Sequence, residues 1–355
     1  PLGISFPVGP VDVFRFDVQA DFPVYAFGRH LNSHRAAKLD HRRAEADRDA
    51  TESDVAAEVT AAAFDLLETI AQIDVARSNE EALQRTVADA TAQQDAGRVT
   101  RAAVLEAQVE HAAARRRRER LESLVRIRRI VLNALLGRPT DDATVLIDDR
   151  VTRPPSFDEQ ALLAEALRNR PEVRSAELAV RRSRRTLESV VGSELPELRG
   201  SVGYHTDDNE FIDQSDFGFF ELTLTLPIFR AGARRARIRR ARREVDLAGL
   251  RLADTVAEVR TDVAASYRDV VETYADIGVA RQSVERSAES LRIQREKFGA
   301  GRATSREVLD STALLNQARF AEVQAIYDYK EALQRLHRAR GADPRRPPRA
   351  SDGPK

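Results

Sequence analysis

Glu307 and Asp310 stand three residues apart, just after the run Gly299-Ala300-Gly301-Arg302-Ala303-Thr304. That spacing puts two carboxylates on one face of a helix. An acid–base pair needs a nucleophile or an orienting histidine within reach, and none lies near them in the sequence. Their plain use is as first-turn acids that stabilise a helix N-terminus. His30, His34 and His41, at separations of four and seven, also share a helix face, a spacing open to metal ligation. Arg115–Arg118 and the basic run Arg234–Arg243 raise nucleic acid as a partner. Against that stand a net charge of zero, interspersed Glu and Ala, and no aromatics within these runs. There is no phosphate loop, no G-x-S-x-G, no H-E-x-x-H and no cysteine for a disulfide or thiolate metal site. No enzyme and no cofactor is expected.

The elements that carry these residues follow from composition and periodicity. In 355 residues, 57 basic and 57 acidic side chains make 32% of the chain charged against 42% hydrophobic. Heavy, balanced charge of this kind suits long solvated helices better than a compact α/β enzyme. The chain opens on Pro1 and lacks methionine, so a full reading frame is not expected and a preceding signal peptide stays open. No stretch reaches the roughly 18–20 apolar residues of a membrane-spanning helix. A transmembrane β-strand needs only about 9–11 alternating residues and stays open as well.

Residues 23–137 recur at 227–341 with a constant shift of 204 and no gap. Pro23 matches Pro227, Gly28 matches Gly232, and Val75-Ala76-Arg77 matches Val279-Ala280-Arg281; Gly97-Arg98-Val99-Thr100 matches Gly301-Arg302-Ala303-Thr304, and Gly137 matches Gly341. An ungapped match implies one structural unit used twice. From Phe14 to Val24 apolar and polar residues alternate, as they do from Phe220 to Ile228, and Leu198–Tyr204 gives a third such run. The second and third strands, joined through Thr206–Asp216, predict a hairpin. Its first-copy counterpart would begin before residue 1.

Each strand leads into a long proline-free stretch, from about Gly28 to Ala96 and from about Arg230 to Phe298. Sixteen apolar positions from Ile238 to Leu291 cover 53 residues in 15 steps, or 3.5 per step, the period of a coiled-coil seam. Such a helix would be roughly 100 Å long. His34 and His41 match the seam positions Ile238 and Val245, which favours packing or interface histidines over ligands. Gly97 and Gly301 supply a left-handed helix stop, and Thr100 and Thr304 are expected N-caps for return helices ending at Gly137 and Gly341. Between the copies, Arg138–Gln160 reads as a linker with a short strand at Thr144–Ile147, then helices over Asp158–Arg170 and Pro171–Leu195.

On these residues the chain resembles the outer-membrane efflux protein family, the TolC-like channels of tripartite pumps and type I secretion. The likeness is carried by Leu226-Pro227-Ile228-Phe229 with Gly232, by Phe298–Thr304 with Glu307-Val308-Leu309-Asp310, and by the endings Leu132–Gly137 and Leu333–Gly341. The resemblance implies a mainly α homotrimer. Each chain would give strands to a transmembrane β-barrel in the outer membrane and long antiparallel helical hairpins to a periplasmic α-barrel. The implied layout is a partial β-hairpin at 1–27, a helical hairpin at 28–137, a linker with equatorial helices at 138–195, a second β-hairpin at 196–229, a second helical hairpin at 230–341 and a disordered tail at 342–355. Implied partners are a periplasmic adaptor, an inner-membrane pump and outer-membrane lipid. Glu307 and Asp310, with Glu106 in the first copy, would form rings of carboxylates gating the pore. The turns with Gly97, Arg98, Thr100, Gly301, Arg302 and Thr304 would dock the adaptor. Arg234–Arg243 would make a positive collar at lipid head groups. A soluble elongated coiled-coil scaffold is the alternative of a different class, which partition between detergent and buffer would separate.

Overall fold

A computed structural model describes residues 14–148, 157–208, 216–229 and 231–342. The tail expected to be disordered lies, past Ala342, outside the described residues, as do the chain before Phe14 and most of the loop expected over Thr206–Asp216. The element order is β1 (Phe14–Tyr25), α1 (Arg29–Asp95), α2 (Arg101–Leu135), α3 (Glu159–Asn169), α4 (Pro171–Gly192), β2 (Glu197–Asp208), β3 (Asp216–Thr225), α5 (Ala233–Gly299) and α6 (Ser305–Ala339). Helices α1 and α5 each have 67 residues, and α2 and α6 each have 35. Every bound of the second pair lies 204 positions after the first, as from Arg29 to Ala233 and from Leu135 to Ala339. No helix among the described residues is long and apolar enough to cross a membrane.

The chain divides into two compact units. The first comprises Pro1–Ala46 and Glu172–Thr255 and holds an antiparallel sheet of order β1-β2-β3. Its register pairs Val18 with Tyr204 and Ala20 with Val202, then Val202 with Phe220 and Gly200 with Leu222. One face is therefore continuously apolar. The other carries Asp17, Asp21 and Ser201, with His205 bonded to Asp17 and Ser201 to Asp21 at 2.8 Å. A Cβ on Gly203 would stand 2.6 Å from the Phe219 ring, so the glycine makes room for the ring of the next strand. Arg29, the first residue of α1, grips Glu197 at the start of β2 with two bonds of 3.0 and 3.1 Å. Arg237 of α5 reaches the buried carboxylate of Glu194 at 2.6 Å, which meets the requirement that a buried charge be paired.

The second unit comprises Asp47–Pro171 and Val256–Lys355. Adjacent residues of α1 face different neighbours: Leu66 packs with Val125 and Leu132 of α2, and Leu67 with Tyr327 of α6. Arg128 of α2 bonds Asp65 at 3.1 Å and also reaches the fully buried Thr69 hydroxyl. None of the sixteen seam positions of α5 is exposed. Burial of this stripe, rather than helix propensity, supplies most of the stability of so long a helix.

Three expectations change. Thr144–Ile147 forms no strand: Leu146 alternates inward against both leucine clusters, and Asp148 accepts bonds from Tyr327 at 2.6 Å and Lys330 at 2.8 Å. The alternation was that of an extended strap held by side chains, without a ladder. Buried Asn133 anchors it by donating to the carbonyls of Thr140 and Asp142. His34 and His41 are exposed within the chain, because the buried stripe at the start of α1 runs instead through Ala36 and Ala46. The third concerns Thr100 and belongs with the turns.

Candidate pore gate and docking turns

Both long helices of the second unit stop in the same way. Gly97 and Gly301 have φ of +73° and +69°, a region that costs an L-residue strain. At the first turn the Gly97 N–H donates to the Gln94 carbonyl and the Arg98 N–H to the Gln93 carbonyl, each at 2.8 Å. At the second, Gly301 donates to Phe298 at 3.0 Å and Arg302 to Lys297 at 2.7 Å. These reciprocal bonds close the orphan carbonyls of each helix end. No atom lies within 4 Å of a Cβ built on either glycine, so conformation and not crowding selects glycine. Arg98, Thr100, Arg302 and Thr304 are exposed around them.

The two return helices start differently. The Thr304 hydroxyl accepts from the Glu307 N–H at 3.3 Å, and the Glu307 carboxylate accepts from the Thr304 N–H at 2.7 Å, a complete capping box. The Thr304 N–H, with its hydroxyl second, holds the Glu307 carboxyl below the usual carboxylate range. Thr100 has extended cap dihedrals but its side chain caps nothing. The third residue after it is Ala103, which cannot return the bond.

Asp310 pairs with Arg306 at 3.1 Å across one turn of α6. It also lines a groove of about 400 Å³ between the first turns of α2 and α6, together with Glu106, its counterpart 204 positions earlier. Glu110 joins them, so three carboxylates face one guanidinium, Arg306. Glu307 is not among the residues lining this groove. Thus the structure brings together Glu106 and Asp310 and turns Glu307 back onto its own helix start. Arg306 and Glu110 were missed in the sequence, although the i,i+4 spacing of Arg306 and Asp310 was readable. Among the described residues no group of three His, Asp or Glu is placed to hold a metal ion. The exposed carboxylates of Glu106, Glu110 and Asp310 give this groove an excess of negative charge over the one guanidinium of Arg306, a charge balance that attracts cations.

The outer membrane efflux protein family model matches residues 9–138 and 162–342. A curated relative, the pyoverdine export outer membrane protein OpmQ of Pseudomonas putida, is 25% identical over 283 residues, covering 76% of this chain. The chain spans 58% of that relative's length. Among solved structures, the outer membrane protein VceC of Vibrio cholerae superposes with a TM-score of 0.80 at 17% identity, over 93% of this chain and 86% of that one. The outer-membrane channel OprN superposes with a TM-score of 0.83 at 19% identity, over 96% and 82%. At these identities the superpositions establish the fold.

Proposed function

This chain belongs to the outer membrane efflux protein family, and on that premise we propose that it forms a homotrimeric, passive conduit across the outer membrane and periplasm for solutes driven by an inner-membrane pump. One observation supports this most. The sheet exposes an apolar face in the single chain, with Phe220 at 65%, Leu222 at 55% and Leu224 at 67%, while the outer edges of β1 and β3 are unpaired among the described residues. Long unpaired edges on an apolar sheet invite further strands, and a closed barrel in lipid removes both the edges and the exposed face. The exposed turns at Gly97–Thr100 and Gly301–Thr304 are the adaptor-docking surface in this reading. Glu106 and Asp310 are the gate in this reading, each contributing a ring of three carboxylates in a trimer, and Glu307 is set apart from them by its bonds to Thr304. Energy comes from the pump, so the chain needs a path and a constriction and no chemistry.

Reconstitution tests the proposal: the purified trimer is added to planar lipid bilayers and single-channel current is recorded. Stepwise, cation-preferring conductance is expected. A protein that remains a monomer in plain buffer and leaves the bilayer silent would overturn the conduit.

A further inference from the structure

A second groove, of about 940 Å³, lies between α1, α2 and α6 in the second unit. Its floor is the buried apolar cluster of Leu83, Ala114 and Leu309, one residue from each helix. Its rim is basic: Arg116, Arg117 and Arg120 occupy neighbouring positions on one face of α2. Opposite them, the Arg117 guanidinium lies 4.1 Å from the centre of the Phe320 ring on α6. Glu110 is the one acidic residue on the wall.

Neighbouring arginines of α2 are spent on carboxylates, whereas Arg117 meets α6 only through the Phe320 ring. Arg115 pairs with Glu119 at 3.1 Å, and Arg118 bonds Glu80 and Glu122 at 2.6 Å each. Arg117 and Arg120 have no carboxylate partner among the described residues, and the nearest to Arg116 is Glu119 at 3.9 Å. The internal repeat supplies a control. Arg116, Arg117 and Arg120 correspond to Phe320, Ala321 and Gln324 in the second copy. A helix of this length therefore forms without these three charges. Three exposed guanidiniums against Glu110 leave the groove net positive. The buried Oδ1 of Asn316, on the α6 wall, also lacks a donor, and a buried acceptor without a donor is uncommon in folded proteins.

We propose that this groove binds an amphipathic organic anion. Its carboxylate takes the Arg117 and Arg120 guanidiniums, which suit planar bidentate recognition. Its apolar body lies on Leu83, Leu309 and Phe320, and an N–H or O–H on it donates to Asn316. The volume falls in the range of roughly 300–1,000 Å³ that holds small organic ligands.

The test is fluorescence titration of the full detergent-solubilised chain with 1-pyrenebutyrate, and with the neutral 1-pyrenebutanol as its partner probe. Saturable binding of the acid is expected, weakened about tenfold or more by Arg117→Gln with Arg120→Gln, the scale of losing charge-assisted bonds. Pyrenebutanol affinity is expected to change less than about twofold in that variant, and Arg115→Gln to leave the acid's affinity intact. Equal affinity of the two probes, an unchanged acid affinity in the double variant, or an equal loss in Arg115→Gln would each overturn the site. Should the double variant not fold, raising salt about tenfold on the unaltered chain decides instead. Selective weakening of the acid supports the site, and equal loss of both probes overturns it. The readout is binding and not conductance, so its failure leaves the conduit reading standing.

Discussion

Thr304 and Glu307 cap one helix reciprocally: each side chain accepts from the other's backbone N–H, at 3.3 and 2.7 Å. The equivalent pair, Thr100 and Ala103, has the same backbone turn and none of these side-chain bonds. Two copies of one scaffold thus start their return helices with different local stability.

Thr304→Ala is expected to destabilise the start of α6 by about 1 kcal/mol, the ordinary value of an N-cap, and Thr100→Ala to cost the start of α2 only a few tenths. Hydrogen exchange resolved to residues 305–308 and 101–104 measures both. Faster exchange at 305–308 in T304A alone is the expected pattern; equal effects in both copies would mean that Thr100 also caps in solution.

Leu66→Ala is expected to cost about 3–5 kcal/mol, because Leu66 is 1% exposed and sits between Val125 and Leu132. A substitution at Leu105, exposed on α2, is expected to stay within about 0.5 kcal/mol. Denaturation midpoints followed by helical circular dichroism compare the two.

Much of this was legible in the sequence, for identifiable reasons. A shift of 204 residues carries helix bounds and glycine stops together, since each depends on local type and period, while seam burial follows only in part: Val259 is buried and its counterpart Val55 is exposed. The gate candidates were named from resemblance; the Thr304-x-x-Glu307 spacing is that of a capping box and signals that Glu307 bends back to Thr304, whereas no local pattern places Asp310 against Glu106. Side-chain direction separates them, and spacing alone puts Glu307 and Asp310 on one face. Thr144–Ile147 misled for a related reason: alternation marks an extended chain, and only pairing makes it a strand. His34 and His41 do not pack within the chain, which leaves the interface half of that expectation, because the repeat preserved backbone lengths while the buried stripe at the start of α1 moved to Ala36 and Ala46. The Arg116–Arg120 groove was invisible because α1 and α6 reach it from distant parts of the chain.

Acid is expected to weaken the helical unit through His337. Burial, with the Arg340 charge second, lowers its pKa to about 4, and its Nδ1 has no partner. The folded chain therefore binds this proton less readily than the unfolded chain, where the imidazole titrates near 6.5. Stability from the neutral imidazole is fully present above about 6.5 and is lost as pH falls from there to about 4, by about 3 kcal/mol in all. His337→Leu removes this loss. The melting temperature of the unaltered protein should fall relative to that of H337L as pH drops through that window; a constant difference would mean that His337 does not titrate there. Glu68, Glu331 and Asp328, raised mainly by burial, gain stability as pH falls, so the comparison between variants is the informative one.

The gate separates by carboxylate. Glu106 and Asp310 share a groove with Glu110 and Arg306, whereas Glu307 is occupied by Thr304. If cation preference arises from charge facing the lumen, Glu106→Ala with Asp310→Ala should move the reversal potential in a salt gradient toward zero and weaken block by divalent cations. Glu307→Ala should change either quantity less than half as much while loosening the start of α6. Glu307 is held below the usual carboxylate range, so it stays ionised at neutral pH and its charge is not hidden by protonation. A smaller effect from E307A would therefore report position and not charge state. An equal or larger shift from E307A would return the constriction to Glu307 and leave the Glu106–Asp310 groove as a helix contact.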